Sequence, residues 1–335
     1  MKNSPIILVT GATGAVGPLV VKAFHDAGYA IRTFSLDPPS AGIWPKDVEA
    51  HIGDVTDPTA VRSSMADVDV VIHMAALLHI INPNYEMRKK YERVNVGGTA
   101  TVIDAAIAAG VKRVVLFSTI AVYGDSEGAI LNERSPVRPV TFYAQSKLAA
   151  EKLVLGARSS DGQPIGTVLR FGAIYGARIK GNYERLTHAL SHHHFIPIGN
   201  GLNRRTLVYD KDVGRAALIA GFHPAAAGCL YNVTDGKFYP LNKIIESICS
   251  SLGRKPPRFS LPIGPIRFLA GLFGAVSSII GVKALINQEI VDKYTEDIAV
   301  DGSLFQKETG FVPMYDLKTG WDETIEEMRE NNCFK

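Results

Sequence analysis

Tyr143-Ala144-Gln145-Ser146-Lys147 sets a phenol and an amine four residues apart, the spacing that brings two side chains onto one face of a helix. An ammonium held there lowers a phenol from its ordinary pKa of about 10 towards neutral pH. A phenol so tuned takes a proton from an alcohol oxygen or returns one. Thr119 adds a hydroxyl upstream, and Thr10-Gly11-Ala12-Thr13-Gly14-Ala15-Val16-Gly17 adds a glycine-rich turn near the N-terminus. By itself a Tyr-Lys pair of this kind is most often a surface helix pair. Its weight comes from the glycine turn.

The elements that must hold these groups follow a regular order. Ile6-Ile7-Leu8-Val9 is apolar without a break, as a strand covered on both faces requires. Gly11, Gly14 and Gly17 come next, and a helix is expected from Val16 to Ala27, stopped at Gly28. In a strand-turn-helix unit the first glycine makes the tight turn and the second lets backbone N–H groups approach a pyrophosphate. The third lets helix pack on strand. Thr13, Ala15 and Val16 complete the loop, and the pyrophosphate of a dinucleotide sits on the helix N-terminus.

Further strands are expected at 30–34, 48–52, 69–73, 113–117 and 166–170, with helices at 59–65, 85–109 and 143–155 between them. This alternation predicts an α/β fold, a Rossmann-type doubly wound parallel sheet, carrying a smaller mixed α/β substrate lobe. Residues 1–175 form the dinucleotide-binding domain, with 206–230 returning to it; 176–205 and 231–335 form mainly the lobe. At the end of the second strand, Ser35 admits either a ribose hydroxyl or a 2′-phosphate. No Arg or Lys lies between positions 33 and 45 to bind the phosphate. NAD is therefore expected, with NADP left open.

Composition narrows the field. A net charge of +3 with scattered basic residues gives no reason to expect nucleic acid as a partner. Cys229, Cys249 and Cys333 have no metal-ligand spacing, and no metal is expected. His192-His193-His194 reads as a solvated surface, because consecutive histidines cannot all face one ion. No cleavable signal precedes the first strand, so a cytoplasmic protein is expected. The apolar run Phe268–Val282 falls short of the ~20 residues that span a bilayer. A buried or groove-forming helix is the first reading, and peripheral membrane contact through 268–282 the second.

Taken in order, the glycine turn, Gly53-Asp54-Val55, His73-Met74-Ala75-Ala76, Asn95-Val96-Gly97-Gly98-Thr99, Ser118-Thr119, the Tyr143–Lys147 segment and Arg170 resemble the extended short-chain dehydrogenase/reductases, specifically the NAD-dependent epimerase/dehydratase group. The resemblance implies that Asp54 contacts adenine, with Val55 against the ring. It implies that Ala75 and Ala76 line the cofactor path, that Asn95 steadies the central strands, and that Arg170 belongs to the cofactor site. Thr119 would bind the sugar oxygen, Tyr143 would be the acid and base, and Lys147 would hold the nicotinamide ribose while depressing the phenol. A homodimer through the helices at 85–109 and 143–155 is expected by the same analogy.

Gly199-Asn200-Gly201-Leu202-Asn203-Arg204-Arg205 resembles the segment that supplies a phosphate-binding arginine, with Arg205 in that place and Arg204 as support or solvated neighbour. A forked guanidinium suits a nucleoside diphosphate. The chain is similar to bacterial UDP-hexose 4-epimerases and nucleotide-sugar 4-keto reductases of polysaccharide assembly, and more loosely to 3β-hydroxysteroid and sterol dehydrogenases. Thr119 is followed by Ile120-Ala121 where 4,6-dehydratases need an Asp-Glu pair, which excludes that elimination. Asn287-Gln288-Glu289-Ile290 stands where many UDP-galactose epimerases carry Arg-x-Gly-Asp. A UDP-linked 4-epimerase is the first expectation, a 4-keto reductase the second and a sterol dehydrogenase the third. Retention of both Tyr143 and Lys147 argues against a cofactor-binding scaffold with no activity.

Overall fold

Strands apolar at every position need cover on both faces, and helices on the two sides of the large sheet provide it. The computed structural model describes residues 4–78, 85–280 and 288–334, with side chains described outside 272–290. Val282, Lys283 and Asn287, named above, lie outside the described residues.

The first half runs β1 (Ile6–Thr10), α1 (Gly17–Asp26), β2 (Ala30–Ser35), β3 (Glu49–Ile52), α2 (Pro58–Ser64) and β4 (Val68–His73). It continues with α3 (Tyr85–Tyr91), a π-helical turn (Glu92–Gly97), α4 (Gly98–Ala108), β5 (Arg113–Thr119), a short 3-10 turn (Ile120–Val122), α5 (Phe142–Gly156) and β6 (Gly166–Phe171). The second half contains β7 (Ala173–Tyr175), α6 (Asn182–Ser191), β8 (Arg204–Tyr209), α7 (Asp210–Phe222), β9 (Leu230–Val233) and β10 (Phe238–Pro240). It ends with α8 (Leu241–Leu252), α9 (Ile263–Ile280), α10 (Gln288–Thr295), α11 (Ser303–Thr309) and α12 (Leu317–Glu330).

Seven strands form one parallel sheet in the order β3-β2-β1-β4-β5-β6-β9. Three others form a mixed sheet, β10-β8-β7, in the smaller lobe. The large sheet is a Rossmann-type α/β fold. Ile7, Val9 and Ile72 face one core with α1 and α7, while Leu8, Val71, Val114 and Leu116 face the other with α2, α4 and α5. Every one of these side chains is essentially without solvent contact. Burying each is worth roughly 1.5–3 kcal/mol.

Strand order reverses between β1 and β4, where Thr10 pairs in register with His73. A crevice opens at such a reversal, outside the C-terminal ends of the strands. The helix expected to run unbroken over 85–109 is three segments, with the π-helical turn at Glu92–Gly97 in the middle. Apolar periodicity does not distinguish one widened turn from its α-helical neighbours.

Candidate active site

The glycine turn is shaped by what cannot fit beside it. A Cβ on Gly17 would stand 1.9 Å from the Ala12 carbonyl oxygen, and one on Gly11, at φ +71°, would stand 2.7 Å from the Ala75 nitrogen. Both positions therefore require glycine, so that helix and β4 can approach the loop. The Thr13 N–H donates to Ser35 Oγ at 3.3 Å, which ties the end of β2 to the loop. Among the described residues, the N–H groups of Ala15 and Val16 meet no acceptor at the mouth of α1. These close backbone approaches and unpaired donors at a helix N-terminus fit a dinucleotide pyrophosphate. Asp54 accepts from the Thr56 N–H at 2.9 Å and stays half-buried, whereas Val55 turns inward and packs on Gly98.

Below the crevice, Thr10 Oγ1 accepts from the N–H groups of Met74 and Ala75 at 3.2 and 3.3 Å and lies 2.8 Å from His73 Nδ1. On the far side of the ring, His73 Nε2 lies 3.0 Å from Thr99 Oγ1, and Thr99 donates to the Asn95 carbonyl at 2.6 Å. With its proton committed to that carbonyl, Thr99 accepts from Nε2–H, so Nδ1 accepts from Thr10. Burial, reinforced by the charge of Lys147, holds His73 down at about 3. It is neutral and structural. Ala75 and Ala76 follow it at the end of β4, half-buried beside the loop.

The π-helical turn carries Asn95, which is 1% exposed. Its Oδ1 accepts from the Leu77 N–H at 2.7 Å, and its Nδ2 donates to the Leu77 carbonyl at 3.1 Å and to Ser146 Oγ at 2.9 Å. Ser146 lies on α5 between Tyr143 and Lys147 and donates to the Tyr143 carbonyl at 2.8 Å. Asn95 thus braces the segment after β4 against the helix carrying the Tyr-Lys pair.

Thr141 caps α5 by accepting from the Ala144 N–H, and Tyr143 and Lys147 stand one turn apart in the helix that follows. The Tyr91 ring meets the Tyr143 ring edge-on, with centroids 6.2 Å apart. Burial pushes Tyr143 up to about 12, with Tyr91 adding to it, and pushes Lys147 down to about 8 against the pull of Glu151. The lowering of the phenol expected from Lys147 is not seen here: both influences on Tyr143, desolvation and then Tyr91, raise it. Thr119 ends β5; its Oγ1 accepts from the Ala121 N–H at 3.1 Å, leaving the hydroxyl proton for a ligand oxygen.

Arg170 lies one residue before the C-terminal end of β6 and grips Glu151 of α5 with Nε and Nη2, at 3.0, 3.2 and 2.6 Å. Ser118 also donates to Glu151, and the guanidinium stacks 4.8 Å from the Tyr123 ring centroid. The guanidinium thus bridges α5 and the turn after β5, while its buried Nη1 meets no partner among the described residues. In the smaller lobe, Arg205 Nη2 donates to the carbonyls of Lys293 and Tyr294, both at 2.8 Å, which orients its fork. Its neighbour Arg204 pairs with Asp297, with Nη2 at 2.6 Å, and lies over Phe238, so it ties β8 to the chain beyond α10.

Residues 7–234 match the sequence profile of the NAD dependent epimerase/dehydratase family. The chain belongs to that family. Among curated proteins it is similar to the N-acetyl-alpha-D-glucosaminyl-diphospho-ditrans,octacis-undecaprenol 4-epimerase of Escherichia coli O157:H7, at 28% identity over 96% of this chain and 94% of that one. It is similar also to the UDP-glucose 4-epimerase of Vibrio cholerae, at 26% identity over 97% and 96% of the two chains. Among solved structures, MoeE5 in complex with UDP-glucose and NAD superposes with a TM-score of 0.76, at 24% identity over 97% of this chain and 99% of that one. Membership makes the protein an NAD-dependent enzyme of the epimerase and oxidoreductase type.

Sequence reading missed Glu151 and Tyr91, and gave Ser118 no role of its own. A signal for Glu151 was present: it follows Lys147 by four residues, on the same face of the helix. Arg170, inside an otherwise uncharged and buried strand, needs a buried anion to match it.

Proposed function

We propose that this enzyme is a 4-epimerase of a UDP-hexose of the UDP-glucose/UDP-galactose type, acting through a transient 4-keto sugar. The observation that supports the reading is that Thr119 ends β5 while Tyr143 and Lys147 stand one turn apart on α5, which packs on β5, without an acid and base after Thr119. Thr119 holds the C4 oxygen with its free proton, and Tyr143 takes the C4 hydroxyl proton and later returns it. Bound NAD supplies a hydride acceptor and, when oxidised, a positive charge that favours the phenolate. Lys147 holds a ribose hydroxyl. Arg205 binds the substrate diphosphate from the lobe side. The two relatives named 4-epimerases, similar over nearly their full lengths, support chemistry at C4.

The test is to purify the protein, release its bound nucleotide by denaturation, and assay interconversion of UDP-glucose and UDP-galactose without added cofactor. Released NAD with turnover supports the epimerase. Consumption of external NAD(P)H with a 4-keto sugar replaces it with a reductase. Activity on a polyprenyl-diphosphate sugar but not on the UDP-sugar would keep the C4 chemistry and change the carrier.

A further inference from the structure

Residues 247–288 contain Arg254, Lys255, Arg258, Arg267 and Lys283 but no Asp or Glu, so all 33 acidic residues of the chain lie elsewhere. This one segment more than accounts for the net charge of +3. Its described N-terminal part also exposes large apolar side chains. Phe259 is 84% exposed, Phe268 68% and Leu269 45%, with Leu261 and Ile263 about as open as Leu269. The run is held in place by backbone pairing, since the Leu261 N–H donates to the Pro197 carbonyl and the Gly199 N–H to the Leu261 carbonyl, each at 2.8 Å. The exposed Ile196 immediately precedes Pro197, one of the residues so paired. At the other end, Arg267 pairs with Asp292 at 3.0 Å and fixes the start of α9 on α10. Lys255 and Arg258 are exposed and form no ion pair among the described residues.

We propose that the surface from Arg254 to Leu269 docks on an anionic lipid bilayer. Exposed Phe and Leu beside unpaired Lys and Arg are what an interfacial segment needs, because the rings enter the headgroup boundary while the cations meet lipid phosphates. No helix among the described residues is long and apolar enough to cross a membrane, so the contact is one-sided. A second copy of this chain is a poor occupant. Self-pairing of the patch about a twofold axis would set its cations against the same cations.

The inference does not depend on the epimerase reading, and sedimentation with vesicles measures no catalysis. The full chain is expected to pellet with phosphatidylcholine vesicles enriched in phosphatidylglycerol, to pellet weakly with phosphatidylcholine alone, and to be released by high salt. Lys255→Glu with Arg258→Glu should lower partitioning to anionic vesicles at least about tenfold. Phe259→Ser with Phe268→Ser should lower it comparably, with NAD binding retained as evidence of folding. Absence of vesicle binding, or binding indifferent to both pairs of substitutions, overturns the proposal. So does a dimer that both pairs dissociate while vesicles are ignored, because the surface would then belong to a second copy.

Discussion

Asn95 Nδ2 donates to Ser146 Oγ at 2.9 Å, and through that bond the π-helical turn is fastened to the helix carrying Tyr143 and Lys147. The same amide satisfies both backbone groups of Leu77. Asn95→Ala should therefore cost about 1–3 kcal/mol in urea denaturation, since buried polar groups lose their partner. It should also lower turnover, because α5 loses its brace. Ser146→Ala breaks only one of the three Asn95 bonds and should show the smaller effect in both measurements. Equal stability of Asn95→Ala and the parent protein would remove this role.

Tyr143→Phe should cut turnover about 10²–10⁴-fold, the usual loss on removing a general acid or base. NAD titration by fluorescence should show affinity close to that of the parent protein. Full activity in this variant would rule out the assigned proton transfer.

Arg205→Ala should raise KM for the UDP-sugar about tenfold to hundredfold with a smaller change in kcat, as expected when a charged hydrogen bond to substrate is lost. Steady-state kinetics separate the two constants. An unchanged KM would move the diphosphate to other residues.

His73 should stay neutral, in the Nε2–H tautomer, throughout the pH range 5–8 in which an ordinary histidine titrates. Nitrogen NMR of labelled protein reads this directly. With a folded value near 3 against about 6.5 unfolded, the unfolded chain binds the extra proton first. Stability then rises with pH between the two values, and acidification through that window removes on the order of a few kcal/mol attributable to this group. Denaturation of the parent and His73→Gln at pH near 7 and near 4 should show a smaller pH dependence in the variant.

The parts of the site that could be read from the chain are those whose chemistry is local. The apolar run at Ile6–Val9, the glycine spacing at 11, 14 and 17, and the Tyr-Lys interval each express one strand, one turn or one face of a helix. What could not be read depends on approach between distant elements. The π-helical turn that aims Asn95 inward has no periodic signature, and the small sheet contains two strands of only three residues. Pairing of Arg204 with Asp297 spans most of a hundred residues, and burial, which sequence spacing does not reveal, moves Tyr143 up and Lys147 down. The pairing of Arg170 with Glu151 likewise joins two elements, β6 and α5, through an approach made only in the fold.

The buried grip of Arg170 on Glu151 also restricts how this lineage can change. Removing either partner leaves a charge stranded in the core, at a cost of about 3–5 kcal/mol, while replacing both with apolar residues of matched volume is often neutral. Glu151→Leu and Arg170→Met should each melt well below the parent, and the double variant well above the sum of the two losses. Descendants can therefore lose the pair together, or keep both, but a one-step route passes through a poorly folded ancestor. The helix that carries Tyr143 and Lys147 is thus anchored to β6 by two residues whose codons are free to change only together.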